Sequence, residues 1–477
     1  MADLPTRRSV SEYKWLAMTV VSVGTFMSTL DASIVNVSLP AIMSSLRTDL
    51  AAVQWVVSIY LLVITGLLLT LGRLSDMAGR KPIFIAGFAI FTIGSLLCGL
   101  SRTVHLLIAF RGFQAIGSAM MMANGPAILT DVFPPEERGK AMGMYGTVVA
   151  CGLTVGPALG GFLVAAAGWP LIFFINIPIG IIGIAMAQVI LRDESRPCER
   201  NFDVPGALLL LISLISLTLA LSHGPKGGWD SERVWSLLGA FTLFGALFIV
   251  REMRAEHPVV DPALFRSRLF AAASASALIA YAAMFSVTFL MPFYLSEVLG
   301  YGSQKIGMTL VAVPLTVAVI APFSGSLSDR IGSRIPASLG LAVSAVGLLL
   351  IGHLGMNPGQ AHVIGALVVV GFGSAVFQTP NSSAIMGAVP QERRGVAAGV
   401  LATMRNLGMV IGISVSGAVY TSYKAYYIAQ LGVLAGSVHA FRNAFLVAAV
   451  ICAVGVITAA ARGSAVPETA SEARIGN

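Results

Sequence analysis

Charge is scarce in this 477-residue chain: Asp, Glu, Lys and Arg together make up 11% of it, against 56% apolar residues and a mean hydropathy of +0.85. Soluble domains carry about 25% charged residues, so water is not the main solvent here. Cysteine is scarce too. Cys98, Cys151, Cys198 and Cys452 form no CxxC or other metal-ligand spacing, which argues against a disulfide framework and a zinc site. The six histidines fall singly, and neither HExxH nor GxSxG occurs, so no hydrolase signature is present and no metal or cofactor is expected. The one Gly-Lys pair, Gly139-Lys140, is followed by alanine and lacks the upstream glycine of a phosphate loop; ATP is therefore not the expected energy source. Ten-residue polar/apolar alternation is missing, as in the uniformly apolar run 204–222, and this argues against a membrane β-barrel.

What is present is one membrane-length segment after another. Crossing a bilayer core takes about 20 apolar residues of helix, and predicted spans lie near 15–37, 51–71, 82–101, 104–128, 141–166, 171–191, 204–222, 234–253, 270–296, 306–328, 335–355, 361–385, 397–420 and 440–461. The first run follows Arg7, Arg8 and Lys14 as a signal peptide would. It is too long for one, holds Asp31 and has no small-residue cleavage site, so it is expected to remain as span 1. An even number of spans puts both termini on one side. That side then holds 21 of the 30 Lys and Arg residues and the other side seven, with Arg111 and Arg405 inside spans. Such a bias predicts cytoplasmic termini, and the excess of +8 reports topology, not a nucleic-acid partner. The absence of a long targeting extension suggests a bacterial plasma membrane.

The chain also repeats itself. Leu74-Ser75-Asp76 with Gly79 recurs 253 residues on as Leu327-Ser328-Asp329 with Gly332; Gly117-Ser118-Ala119 and Arg138-Gly139 recur 256 residues on as Gly373-Ser374-Ala375 and Arg394-Gly395. Two segments sharing nearly one offset imply two parallel six-helix halves, an arrangement found in transporters whose halves are related by an axis along the membrane normal. The predicted division is 1–195 for the first half, 196–261 for an inserted helix pair with its linkers, 262–464 for the second half, and 465–477 for a short polar tail without fixed structure.

An ionised carboxylate at the centre of a spanning helix costs roughly 2.5 to 3.5 kcal/mol, so a buried one needs a reason. Asp31 is the only acid well inside a span. It stands six residues before the predicted end of span 1, about 9 Å deep, and Arg111 stands seven residues into span 4, about 10 Å deep. At matching depth the two are candidates for a pair that exchanges a proton or a substrate. Arg405 is the third charge within a span, either facing a cavity or snorkelling to the interface. Tyr60, Gln114, Asn124, Gln378 and Asn381 are polar candidates for a substrate surface or for interhelical hydrogen bonds. Span 5 carries small residues at Gly152, Gly156, Gly160 and Gly161 with Pro157 between them, a face suited to close packing and a bend.

These motifs resemble those of the major facilitator superfamily, and within it the fourteen-span drug:proton antiporters called DHA2. Leu30-Asp31 through Leu39-Pro40 is similar to LDxTxVNVALP. Gly72 through Lys81 is similar to GxLaDrxGrkxx, and Arg111-Gly-Phe-Gln114-Ala-Ile-Gly117 to RxxQGxG with Ala115 in place of glycine. Span 5 fits GxxxGPxxGG, and Trp169 through Gly180 is similar to WRWIFLINVPIG with Pro170 in place of arginine. The resemblance implies an all-helical fold of two six-helix bundles plus two inserted helices, operating by alternating access. Asp31 and Arg111 would serve proton coupling. Asp76, Gly79 and Arg80, with Asp329 in the second copy, would gate the cytoplasmic side, and the span 5 glycines would favour export. A monomer exchanging protons for small amphipathic or cationic compounds is the implied activity, with a dedicated exporter of one metabolite as the alternative.

Overall fold

All fourteen predicted segments are helical in a computed structural model, which describes residues 7–192, 204–254, 262–390 and 394–462. The helices are α1 (Arg7–Ser45), α2 (Leu50–Ala78), α3 (Arg80–Gly99), α4 (Val104–Val132), α5 (Arg138–Ala167), α6 (Leu171–Phe174), α7 (Asn176–Ile190), α8 (Val204–Gly227), α9 (Glu232–Arg254), α10 (Arg268–Phe293), α11 (Ser303–Leu310), α12 (Ala312–Ile331), α13 (Arg334–Gly352), α14 (Gln360–Gly387), α15 (Arg394–Leu431) and α16 (Val433–Ala460). Spans 6 and 10 are each built from two helices, α6–α7 and α11–α12. No strand occurs among the described residues. The polar linker and tail predicted at 192–200 and from 465 fall almost wholly outside them.

Several helices outrun their predicted ends. The first continues through Pro40 to Ser45, and α15 reaches Leu431, past the predicted limits of 37 and 420. Proline removes one backbone hydrogen bond, but Leu39 and Ile42 on either side of Pro40 are fully buried, and that packing keeps the chain helical.

Helices in lipid gain nothing from the hydrophobic effect when they meet, so close approach and polar contacts must hold them. The α3–α4 crossing shows how. A methyl group on Gly117 would stand 2.6 Å from the Gly87 carbonyl and collide with the Phe91 backbone. The repeat reproduces this crossing. At α13–α14 a methyl on Gly373 would stand 2.6 Å from the Gly340 carbonyl and 2.5 Å from the Ser344 nitrogen, the same three positions displaced by the sequence offset. The helix breaks at Gly79 (φ 94°) and Gly332 (φ 80°) match as well, each needing the left-handed backbone that glycine tolerates.

The two halves touch at the face away from the termini. There Gly161 of α5 lies against Ser303 of α11, where an added methyl would be 2.5 Å from the Ser303 carbonyl; Gly307 lies against the Pro157 carbonyl; and Gln54 of α2 abuts Gly417 of α15. Towards the termini the halves diverge. From Arg138 to Thr147, α5 is exposed apart from Ala141 and Tyr145, and Gly139, Gly143, Gly146 and Gly387 face open space. The inserted pair sits at the seam: α8 packs on α2 and α15, one helix from each half, whereas α9 packs mainly on α8 and turns Trp235, Leu243, Ile249 and Met253 outward.

Substituting Gly307 by Val puts a branched side chain against backbone, an overpacking that costs about 1–3 kcal/mol, and is expected to hold the far seam open. The measurement is labelling of a Gln54→Cys reporter, 2% exposed in the parent, by an impermeant maleimide in a background freed of the four native cysteines. Labelling should rise sharply with Gly307→Val; unchanged labelling would show that the seam absorbs the side chain.

Candidate functional site

Asp31 and Arg111 meet. The Arg111 Nη1 donates to Asp31 Oδ2 at 2.5 Å, and the two side chains are 0% and 1% exposed. The depth estimate for Asp31 is corrected by the extra turns of α1: it stands 14 residues before Ser45, about 21 Å, so α1 projects past the start of α4. Three helices complete the cluster. Gln114, one turn after Arg111, accepts from Arg111 Nη1 at 2.7 Å and donates to Asp31 Oδ1 at 3.0 Å. Asn176 at the start of α7 donates to the same Oδ1 at 3.1 Å, and Ser95 of α3 accepts from Gln114 at 2.8 Å. Arg111 Nε donates to the Val56 carbonyl at 3.2 Å, and the guanidinium lies 4.0 Å from the centroid of the Tyr60 ring. A buried ion pair holds only where its remaining donors and acceptors are satisfied; both carboxylate oxygens are. Protonating Asp31 removes the charge around which Arg111, Gln114 and Asn176 are arranged.

The cluster is sealed inside the first half. Tyr60 and Gln114, put forward as a substrate surface, are fully buried around the pair; the Tyr60 hydroxyl donates to Ser118 at 2.8 Å. Asn124 is also buried and donates to the Met120 carbonyl at 2.7 Å. Helix rotation, which spacing alone does not give, turned these three inward. Asn176 was missed as a site residue, although it is the one asparagine in the apolar run of span 6.

A second group faces the space between the halves. Arg405 of α15 lies beside the Tyr281 hydroxyl of α10 and within electrostatic range of Tyr145 of α5, and Tyr281 donates to Gln378 Oε1 of α14 at 3.2 Å. Arg405 Nε is buried without a partner. Asn381 does not join this group. It is 2% exposed and accepts from Arg462 at the end of the chain's last helix, whose pKa burial lowers to about 10.

At the termini face Arg80 pairs with Asp131 of its own half and donates to the Ala127 carbonyl at 2.5 Å. Asp329 is exposed. Asp76 lies in the last turn of α2, but its side chain falls outside the described part of the structure. The span 5 glycines divide their contacts: Gly152, Gly156 and Gly160 press on Thr29, Ser33 and Ile34 of α1, and Gly161 on the other half. The α1–α5 contact also carries a hydrogen bond from Ser33 to the Leu153 carbonyl at 3.0 Å.

Comparison with known proteins agrees with this architecture. The family model of the Major Facilitator Superfamily matches residues 21–412 and 273–475. The riboflavin transporter RibZ of Clostridioides difficile (strain 630) is 36% identical over 451 residues, covering 93% of this chain and 96% of that protein. The multidrug resistance protein Stp of Mycobacterium tuberculosis (strain ATCC 25618 / H37Rv) is 33% identical over 409 residues, covering 86% and 76%. The tetracenomycin C resistance and export protein of Streptomyces glaucescens is 32% identical with the same coverage. Among solved structures, a bacterial homologue of the human lysosomal transporter Spinster, inward-facing and unoccupied, superposes with a TM-score of 0.69 at 15% identity over 94% of this chain and 97% of that one.

Removing one member of a buried pair strands the other and costs about 3–5 kcal/mol. Arg111→Met is therefore expected to lower the melting temperature in detergent by several degrees, and Asp31→Asn in the same chain to restore part of the loss. A double-mutant cycle reads the coupling; strictly additive losses would mean that the two charges do not stabilise each other.

Proposed function

The chain belongs to the Major Facilitator Superfamily, and from that premise we propose that this multi-pass transporter of small molecules is a proton-coupled antiporter of the DHA2 type, exporting small amphipathic or cationic compounds across a plasma membrane by alternating access. The observation that carries the proposal is the acid-base pair Asp31–Arg111, fully enclosed in the lipid-embedded part of the first half. An acid kept there against its insertion cost calls for a role that needs a titratable group. The basic-residue bias supports cytoplasmic termini, so the conformation described here, parted at the termini face and closed at the other, would be open to the cytoplasm.

In the proposed cycle a proton reaching Asp31 from the outside breaks the pair. Arg111 then redistributes among Gln114, the Val56 carbonyl and the Tyr60 ring, and α1 shifts. Because α5 rides on α1 through Gly152, Gly156 and Gly160, the shift reaches the seam that Gly161 makes with the second half. Arg80, with Gly79 beside it, would close the termini face in this cycle together with Asp76 and Asp329. The alternative, export of one dedicated metabolite such as a siderophore or an antibiotic, has its counterpart among the relatives in those named for a single compound, riboflavin and tetracenomycin C, as the multidrug reading has in Stp. Competition among chemically unrelated dyes separates the two, since a dedicated exporter ignores most of them.

In proteoliposomes with an imposed pH gradient, Asp31→Asn is expected to reduce gradient-driven dye efflux to the protein-free rate while leaving substrate exchange at equal pH in place. Gradient-driven efflux at the parent rate in this variant would remove Asp31 from the mechanism.

A further inference from the structure

Among the described residues, charge in the cleft between the halves is one-sided. Arg405 stands 12 residues, about 18 Å along α15, on the termini side of the Gly417–Gln54 contact. Tyr145 stands the same 12 residues before Pro157, which meets Gly307 in the seam. The two are thus level, one on each half, with Tyr281 and Gln378 beside the arginine. The guanidinium keeps one buried donor, Nε, unused, with Tyr281 of α10 beside it and Gln378 of α14 one hydrogen bond further on.

Among the described residues no carboxylate pairs with Arg405. A charge held in a membrane ordinarily faces a partner or a water-filled cavity. Arg111 has Asp31, and Lys424 has Glu297 at 2.8 Å, near the far end of α10; Arg462, past the end of α16, has only the Asn381 amide oxygen. Asp31 is the only acid well inside a span, and its two oxygens are taken by Arg111, Gln114 and Asn176. Tyr145 and Tyr281, the titratable groups facing Arg405 from α5 and α10, offer neutral hydroxyls and flat rings. A permanent cation entering here would meet a like charge and no carboxylate.

We infer that the transported molecule supplies the missing charge, the cleft binding small planar organic anions whose carboxylate, phenolate or imide group docks on Arg405 between Tyr281 and Tyr145. A guanidinium suits this task because its planar fork takes two acceptor atoms at once and stacks on flat rings. Gln378, held by the Tyr281 hydroxyl, adds an amide beside the anion. This assignment rests on the export function proposed above and narrows it, replacing cationic with anionic compounds as the preferred class.

The test uses two planar tricyclic dyes of opposite charge, fluorescein and ethidium, with fluorescence anisotropy on the purified full-length protein in detergent. Fluorescein is expected to bind at least about tenfold more tightly than ethidium, a difference of one decade in Kd. Arg405→Gln should erase that preference and Arg405→Lys should keep part of it. Ethidium binding as tightly as fluorescein, no fluorescein binding, or a preference unchanged in Arg405→Gln would each overturn the inference. If the Gln variant fails to fold, the parent's own preference and the Lys variant still decide. Binding is read without any gradient, so a failure of proton coupling leaves this result unmoved, and a failure here leaves gradient-driven efflux to be judged separately.

Discussion

Helices in a bilayer have no water to escape when they touch, so what holds them is how closely their backbones approach and which polar groups they satisfy between them. Glycine sets both kinds of contact in this molecule. Within each half the glycine crossings, Gly87–Gly117 and Gly340–Gly373, allow approaches that a single methyl would forbid. Along α5 the same residue type does two jobs, at Gly160 and Gly161 on successive residues. The face of Gly152, Gly156 and Gly160 is locked on α1 and reinforced by the Ser33 hydrogen bond, while Gly161 meets the other half by backbone contact alone, with no side-chain hydrogen bond across the Gly161–Gly307 contact among the described residues. A contact of the second sort parts without leaving a stranded donor in lipid, which is the property a seam that opens must have.

The position of Asp31 then matters as much as its chemistry. It lies on α1 between Thr29 and Ser33, the residues that seat Gly152 and Gly156. Under the proposed mechanism no long relay is required: the titrating group, the helix it moves and the face that carries the seam are neighbours. Coupling through adjoining rigid elements with two arrangements is a physical route, and here it spans only α1, α5 and α11.

Much of this was legible in the sequence because lipid is a demanding solvent. Segments of membrane length announce themselves, and the offsets of 253 and 256 that link Leu74 to Leu327 and Gly117 to Gly373 return in the structure as matching crossings. Asp31 and Arg111 stood out because charge inside a span is costly. What spacing does not carry is the rotation of a helix about its axis. Tyr60, Gln114 and Asn124 could face a cavity or a neighbour, and only packing turned them inward; Asn381 likewise went to Arg462 instead of Arg405. The same limit hid Asn176, whose contact with Asp31 joins residues 145 positions apart. Helix length past Pro40 was hidden for a different reason, since local backbone chemistry argued for a stop and tertiary burial outweighed it.

The repeat makes the placement of charge more telling than it would be in an asymmetric fold. Taking the offset of 252 that relates the helix prolines Pro40 and Pro292, Ala283 occupies the place of Asp31; by the offset of 256, Leu367 occupies that of Arg111. Both are fully buried and apolar, so the second half has the architecture of the first without its ion pair. Arg405 has Val149 at the corresponding place in the first half by the same offset of 256. Among the described residues, one half therefore encloses a neutralised acid and base, while the other presents Arg405, with no acid paired to it, to the space between them. In two copies of one scaffold, that difference would, under the two proposals above, separate the group that takes up a proton from the group that holds a ligand. It also places them on opposite sides of the seam whose opening and closing would exchange the two.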